Sequence, residues 1–322
     1  MLDDGRIDTG YPRYAPKIPA SPPLSGRIIA LPGAEYLRMT PVSYTVSTMA
    51  PEAPAPRESP QGSIARAFVT ARREARSLAV YPGPAPLDLA SAYRVQDEAL
   101  LLDGRTIAGW KVGRIPDPEV AQLGANRLAG PILAGTVVEA TAEVESAMPA
   151  YSGGFIALEA EFMLRLCVPR HATTPLDDAA TQQWIDEVRI GIEIASSPYA
   201  GINDDGACVT VSDFGNNAGM LLGSAVHGWR ALNLQAIEVS TEVAGREAGR
   251  ATAATMLDGP YGAVRFLLDH FERRGIAPQS GWWISSGAVT GVHGAKVGDR
   301  AVAKFAGVGS LACRIVAARS CQ

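Results

Sequence analysis

Histidine and cysteine are scarce in these 322 residues, with four of each. Cys167, Cys208, Cys313 and Cys321 include no C-x-x-C pair and no ligand-like spacing, so neither a zinc site nor a disulfide framework is indicated. Thiols so few and scattered in a long chain suit a reducing compartment, and we expect a cytoplasmic protein. A basic excess is missing too. The 29 Lys and Arg against 33 Asp and Glu leave a net charge of −4, which offers no electrostatic footprint for nucleic acid or an anionic membrane. No apolar run approaches the roughly 20 residues of a membrane span. The start, MLDDGRIDTG, lacks a basic segment followed by an apolar one, so no secretory signal is visible. No G-x-G-x-x-G follows a strand, and there is no P-loop or G-x-S-x-G; the usual nucleotide and serine-hydrolase signatures are therefore absent.

What is present is a globular composition, 47% hydrophobic and 19% charged, with ample material for a core. Residues 1–60 stand apart. PRYAPKIPASPPLSG and APEAPAPRESPQG are dense in Pro, Ala and Ser. Such sequence buries too little apolar surface to offset its ordering entropy, and we expect a disordered extension, with Met39 and Met49 as alternative starts. Residues 61–322 are expected to form a single domain, helical to about 130 and β-rich after it.

SIARAFVTARREARSLAV has helical spacing at Ile64, Phe68 and Ala71, with Ser63 as N-cap. LDLASAYRVQDEALLLDG reads as a second helix, Asp88 near its start and Gly104 past its end. IAGWKVGRIP is a strand with one lysine, Lys111. From 130 onward short β-type runs dominate, interrupted by helical patterns at 175–188 and at GPYGAVRFLLDHFERRG. Runs of strands with few helices predict an α+β fold.

FIALEAEFMLRL (155–166) carries the sharpest signal. Its even positions, Ile156 to Leu166, form an apolar face; the odd face holds Phe155, Ala157, Glu159, Glu161, Met163 and Arg165. Two carboxylates thus share one face, roughly 6.5–7 Å apart along the strand. Either that face lies in water, or something neutralises it. In VRIGIEIASSP, Glu193 stands on the face of Gly191 and Ala195, opposite Ile190, Ile192 and Ile194, as if something must approach it. Three carboxylates on apolar strands repel one another unless a cation sits among them. Oxygen ligands without His or Cys favour Mg²⁺, Mn²⁺ or Ca²⁺ over zinc.

The segments GWKVG (109–113), LEAEF (158–162), GIEIASS (191–197), VSDFGNNAGMLLG (211–223) and ISSGAVTGVHGAKVGDRAVAKFAGVGSL (284–311) occur in this order. Together, over residues 65–318, they resemble the fumarylacetoacetate hydrolase superfamily, in its 2-keto-4-pentenoate hydratase and 4-oxalocrotonate decarboxylase branch. The resemblance implies a mixed β-roll core with a mainly helical N-terminal part. It implies Mg²⁺ or Mn²⁺ held by Glu159, Glu161 and Glu193, and a lysine, Lys111, that binds a substrate carboxylate or shuttles a proton if its pKa is depressed. Asp213 matches a family position that orients a ligand or caps a turn. Asn216, Ser286 and Gly287 fall where substrate contacts are expected. The activity implied is hydration of a 2-hydroxy-dienoate in catabolism of aromatic compounds, with decarboxylation, C–C hydrolysis or a non-catalytic partner subunit as alternatives. A homo-oligomer acting on a small 2-oxo acid is the implied assembly.

The sequence departs from the hydratase pattern in several places. No arginine follows the Ser196-Ser197 pair, and LGANRLAGPIL lacks the aspartate of the family's P-D-F-G segment. Asp213-Phe-Gly-Asn-Asn217 puts amides where hydroxyls are usual. His293 lies in the late glycine-rich loop, as a general base or as a structural residue. Arg114 and Arg127 are available to a second carboxylate.

Overall fold

The computed structural model describes residues 59–141, 145–171 and 173–320; the extension expected over 1–60 lies, but for its last two residues, outside them. In chain order the elements are α1 (Pro60–Glu74), α2 (Leu89–Asp103), β1 (Ile107–Arg114), α3 (Glu119–Leu123), β2 (Arg127–Leu133), β3 (Val137–Glu139), β4 (Ser146–Ala150), β5 (Phe155–Leu166), α4 (Asp178–Gln182), β6 (Ile185–Ser197), α5 (Ala207–Ser212), β7 (Asn217–Ala225), β8 (Glu238–Val243), β9 (Arg246–Thr252), α6 (Gly259–Arg274), β10 (Trp283–Ser285), β11 (His293–Gly294), β12 (Arg300–Phe305) and β13 (Gly309–Ala317).

α1 buries the predicted stripe of Ile64, Phe68 and Ala71. Its N-cap is Ser59, whose Oγ accepts from the Gly62 N–H at 3.0 Å. Ser63 is one turn too late for that role, and its hydroxyl donates to the Pro60 carbonyl. α2 starts and stops as read, with Asp88 accepting from the Ser91 N–H and Gly104 in the left-handed region at φ 74°. The helix expected over 175–188 shrinks to five-residue α4. The alternation of Val188, Ile190, Ile192 and Ile194 starts β6 at Ile185, since these β-branched residues all bury on one strand face.

Two sheets make the body. The larger has the order β2-β1-β10-β5-β6-β7-β3, with β11 paired to β5; the smaller runs β4-β13-β12-β8-β9. β10 lies between β1 and β5, parallel to the first and antiparallel to the second. One face of the larger sheet packs on the smaller sheet and α6. Phe162 meets Phe305 edge-on at 5.3 Å, and Trp110 meets Phe271 at 5.1 Å. Each such buried aromatic contributes about 1.5–3 kcal/mol relative to exposure. The opposite face meets the first helices through Ile64, Phe68, Val95, Leu133 and Phe214. β5 is consequently buried on both faces from Ala157 to Leu164. No described helix is long and apolar enough to cross a membrane.

Candidate metal centre

Strand pairing decides where the charged side chains go. Glu159 of β5 faces Glu193 of β6 directly across the antiparallel pair, and Glu161 faces Gly191. Lys111 of β1 pairs with Ser285 of β10, which pairs with Met163 of β5. Cross-strand partners share a face, so Lys111, Ser285, Glu159, Glu161 and Glu193 all project from the side of the sheet opposite the Phe162–Phe305 core. The solvated-face alternative for the glutamates is excluded. Glu161 and Glu193 are 0% exposed and Glu159 is 4% exposed. The space beside Glu193 at Gly191 is not an approach path for a ligand. A Cβ there would meet Met163 Cγ at 2.5 Å and the Leu221 carbonyl at 2.9 Å, so the sheet's own packing fills it.

The carboxylates are held from several directions. Glu161 Oε2 accepts from Ser285 Oγ at 2.5 Å and from the Gly287 N–H at 2.8 Å. Gly287 adopts φ 99° to aim that N–H, a conformation open to glycine. Glu193 Oε1 accepts from Asn217 Nδ2 at 2.9 Å and lies 3.3 Å from Lys111 Nζ. Lys111 also donates to Asn216 Oδ1 at 3.3 Å, and Asn216 Nδ2 donates to Asn203 Oδ1 at 2.8 Å.

Burial pushes the Glu159 carboxyl up to about 7, with Glu193 adding to the rise and Lys111 opposing it. Burial, then Glu193 and Glu159, push Glu161 well above the ordinary range. Burial alone would lower the Lys111 ammonium, but the charges of Glu193, Glu159 and Glu161 outweigh it and hold it above its ordinary value. With no cation among the glutamates, Lys111 stands as an ammonium ion paired with Glu193.

The site fits a divalent metal. Among the described residues, Glu161 Oε1 and Glu193 Oε2 are buried oxygens without a hydrogen-bond partner. Buried acceptors rarely stay unpaired. One oxygen from each of Glu159, Glu161 and Glu193 lies within 4.8 Å of the others. Three carboxylates and one ammonium leave two negative charges, and an all-oxygen donor set suits a hard cation.

The centre opens on a cavity of about 590 Å³, whose inner wall carries Lys111, Glu159 and Asn216 beside Ser286 and Gly287. Arg114, Arg127, Glu119, Asn203 and Thr210 line it further out. Arg127 is also tied to the Leu257 carbonyl and to Asp258. Two expected site residues stand elsewhere. Asp213 does not line the cavity, because both its carboxylate oxygens are taken by Arg72, and Ser197 donates to one of them. His293 does not line it either. It pairs with Leu158, on the sheet face turned away from the glutamates, and its Nε2 is bonded to Thr290 Oγ1. Sequence reasoning missed Ser285, Asn217, Asn203 and Glu119. Asn217, beside Asn216, and Ser285, beside Ser286, carried a local hint.

No family model matches the chain, and no curated protein matches it in sequence. Solved structures do. 4-Oxalocrotonate decarboxylase from Pseudomonas putida G7, complexed with magnesium and adipate, aligns with a TM-score of 0.66 at 21% identity, covering 80% of this chain and 97% of that one. The chain shares the fold of that decarboxylase, an α+β fold of the fumarylacetoacetate hydrolase type. The same decarboxylase complexed with calcium and acetate aligns at 0.65 and 20% identity over equal coverage. Fumarylpyruvate hydrolase from Pseudomonas aeruginosa, in complex with Mn²⁺ and pyruvate, aligns at 0.48 and 15% identity, covering 65% of this chain and 88% of that chain.

Proposed function

We propose that the chain is a divalent-metal-dependent lyase acting on a small 2-oxo acid, with loss of CO₂ as its reaction. The observation that carries the reading is the buried triad of Glu159, Glu161 and Glu193, with two unpartnered oxygens, beside Lys111 at the wall of a cavity. Glu159, Glu161 and Glu193 would hold Mg²⁺ or Mn²⁺, which supplies a Lewis acid for the electrons of the 2-oxo acid. Lys111 binds the substrate's carboxylate end through its ammonium. When the C–CO₂ bond breaks, the electron pair stays on the oxo acid, and Lys111 returns a proton to carbon. Asn216 and Asn203 fix the ammonium's direction. Leu128 and Met256 add apolar surface to the cavity wall. Loss of CO₂ asks for one proton donor, and Lys111 is that donor. The decarboxylase that covers 80% of this chain supports the same outcome.

Hydration is the second reading, and Glu119 favours it. Its half-buried side chain lines the cavity, and with Oε2 accepting from the Ala207 N–H at 2.7 Å its other oxygen is left to meet an attacking water. The test is Mn²⁺-dependent turnover of 4-oxalocrotonate, 2-hydroxypenta-2,4-dienoate and an acylpyruvate, followed by product mass. Loss of CO₂ supports the first reading, gain of water the second. Two carbon fragments would replace both with C–C hydrolysis, and Mn²⁺ binding without turnover would reject the proposed substrate class.

A further inference from the structure

We infer that Arg72 of α1 is a positioning residue for the metal centre, acting through the turn at 213–217. The inference rests on the reading of Glu159, Glu161 and Glu193 as metal ligands.

The turn supplies Asn216 and Asn217 to the site. Asn216 accepts from Lys111 Nζ, and Asn217 donates to Glu193 Oε1. Its backbone is not one the chain adopts unaided. Phe214, Gly215 and Asn216 are successive left-handed residues at φ 55°, 62° and 58°, and two of them carry a Cβ that this region disfavours. Something must hold the turn, and its surroundings show what does. Arg72 Nε donates to Asp213 Oδ1 at 2.5 Å, and Nη2 donates to Asp213 Oδ2 at 2.9 Å. Nη2 also reaches the Asp213 and Ser196 carbonyls at 3.2 and 3.3 Å, and Nη1 reaches the Asn217 carbonyl at 2.9 Å. The guanidinium thus grips both ends of the turn and the end of β6 at once. It lies against the Tyr151 and Phe214 rings, 5.1 and 5.2 Å from their centroids, and Arg72 is only 6% exposed.

A contribution to stability alone does not account for this arrangement. A buried ion pair often adds little over apolar groups of the same shape. What the planar fork supplies is geometry, since its donors point in fixed directions that a lysine's single ammonium does not reproduce. The grip determines where Asn217 meets Glu193, and partners that orient a ligand set metal affinity.

Mn²⁺ titrated by calorimetry, without substrate, into the unaltered protein, Arg72→Lys, Asn217→Ala and the double variant tests this. Arg72→Lys keeps the charge and loses the fork. It is expected to melt cooperatively and to bind Mn²⁺ roughly 10-fold more weakly, within the range for lost orienting partners. Asn217→Ala is expected to show a similar loss, and the double variant no more than the worse single change, because both act through one contact. Affinity of Arg72→Lys within twofold of the unaltered protein would overturn the inference. Losses that multiply in the double variant would overturn it as well. If Arg72→Lys fails to fold, Arg72→Gln combined with Asp213→Asn leaves no buried charge unpaired and is judged by the same tenfold and twofold results. Absence of Mn²⁺ binding by the unaltered protein would instead overturn the metal reading, and this inference with it.

Discussion

Glu159 and Glu193 are direct cross-strand partners in the β5–β6 pair, two acidic side chains facing each other inside the protein. Like charges so placed are destabilising, and the third carboxylate, Glu161, adds to the load. Glu161→Gln keeps an oxygen for the Ser285 hydroxyl and the Gly287 N–H while removing a charge. It should weaken Mn²⁺ binding by at least about 100-fold yet, at a pH where Glu161 is ionised, leave the metal-free protein more stable, with a melting temperature raised by roughly 2–4 °C for each kcal/mol of repulsion relieved. Calorimetry and thermal denaturation with chelator check both halves. Unchanged metal affinity would reject the site.

Lys111→Met removes the proton donor without a large change of volume. Turnover should fall by about 10²–10⁴-fold, the usual worth of a positioned acid. Mn²⁺ should bind as well as before or more tightly, because a competing cation 3.3 Å from Glu193 has gone. Kinetics run beside calorimetry would show it, and full activity would take the lysine out of the mechanism.

Gly130 of β2 lies under the 213–217 turn. A Cβ at this position would sit 2.1 Å from the Phe214 carbonyl oxygen and 2.9 Å from Gly215 Cα. Gly130→Ala must therefore displace backbone, at a cost of about 1–3 kcal/mol. Denaturant unfolding should record the loss. A stability equal to the unaltered protein's would show that the turn yields freely.

His270 on α6 gives the expected pH dependence of stability. Burial, then Arg274 and Arg273, lower its pKa from 6.5 to about 3. Its ring packs on Tyr93 and Phe266, with Arg274 Nη1 at 3.2 Å from Nε2. The unfolded chain protonates this imidazole near pH 6.5, whereas the folded protein resists until about 3, so the unfolded state binds more protons between those values. Stability should then decline as pH falls through that window, by at most about 1.4 kcal/mol per pH unit from this group. His270→Phe should flatten the decline between pH 7 and 5. An equally steep decline in the variant would assign it to other groups.

The legible parts of this protein were those written in short-range periodicity. FIALEAEFMLRL showed its two faces because side chains alternate along any strand, and α2 announced both ends through Asp88 and Gly104. α5 was missed because ACVTVS is rich in β-branched residues, and its helical turn is imposed by packing against α2 and the 214–216 turn. His293 looked functional in its glycine-rich loop, but its direction is set by pairing with Leu158, 135 residues earlier. Arg72 continues the i, i+4 stripe of Ile64 and Phe68, but its partner Asp213 lies 141 residues away and no local pattern names it. The ligand triad could be read locally; the residues that hold it in place depend on contacts that only the folded chain makes.

The insertion of β10 between β1 and β5 has a consequence for how the protein is made. The pairing partners of Trp283, Ile284 and Ser285 are all synthesised more than a hundred residues earlier. Until this late segment arrives, the larger sheet is two unjoined pieces with open edges, one bearing Lys111 and the other the three glutamates. Such long-range closure is slow and leaves strand edges exposed. The same three residues that zip the sheet also deliver the Ser285 hydroxyl to Glu161. A nascent or truncated chain therefore carries the three glutamates on one piece and Lys111 on the other, and competence for chemistry arrives together with completion of the sheet.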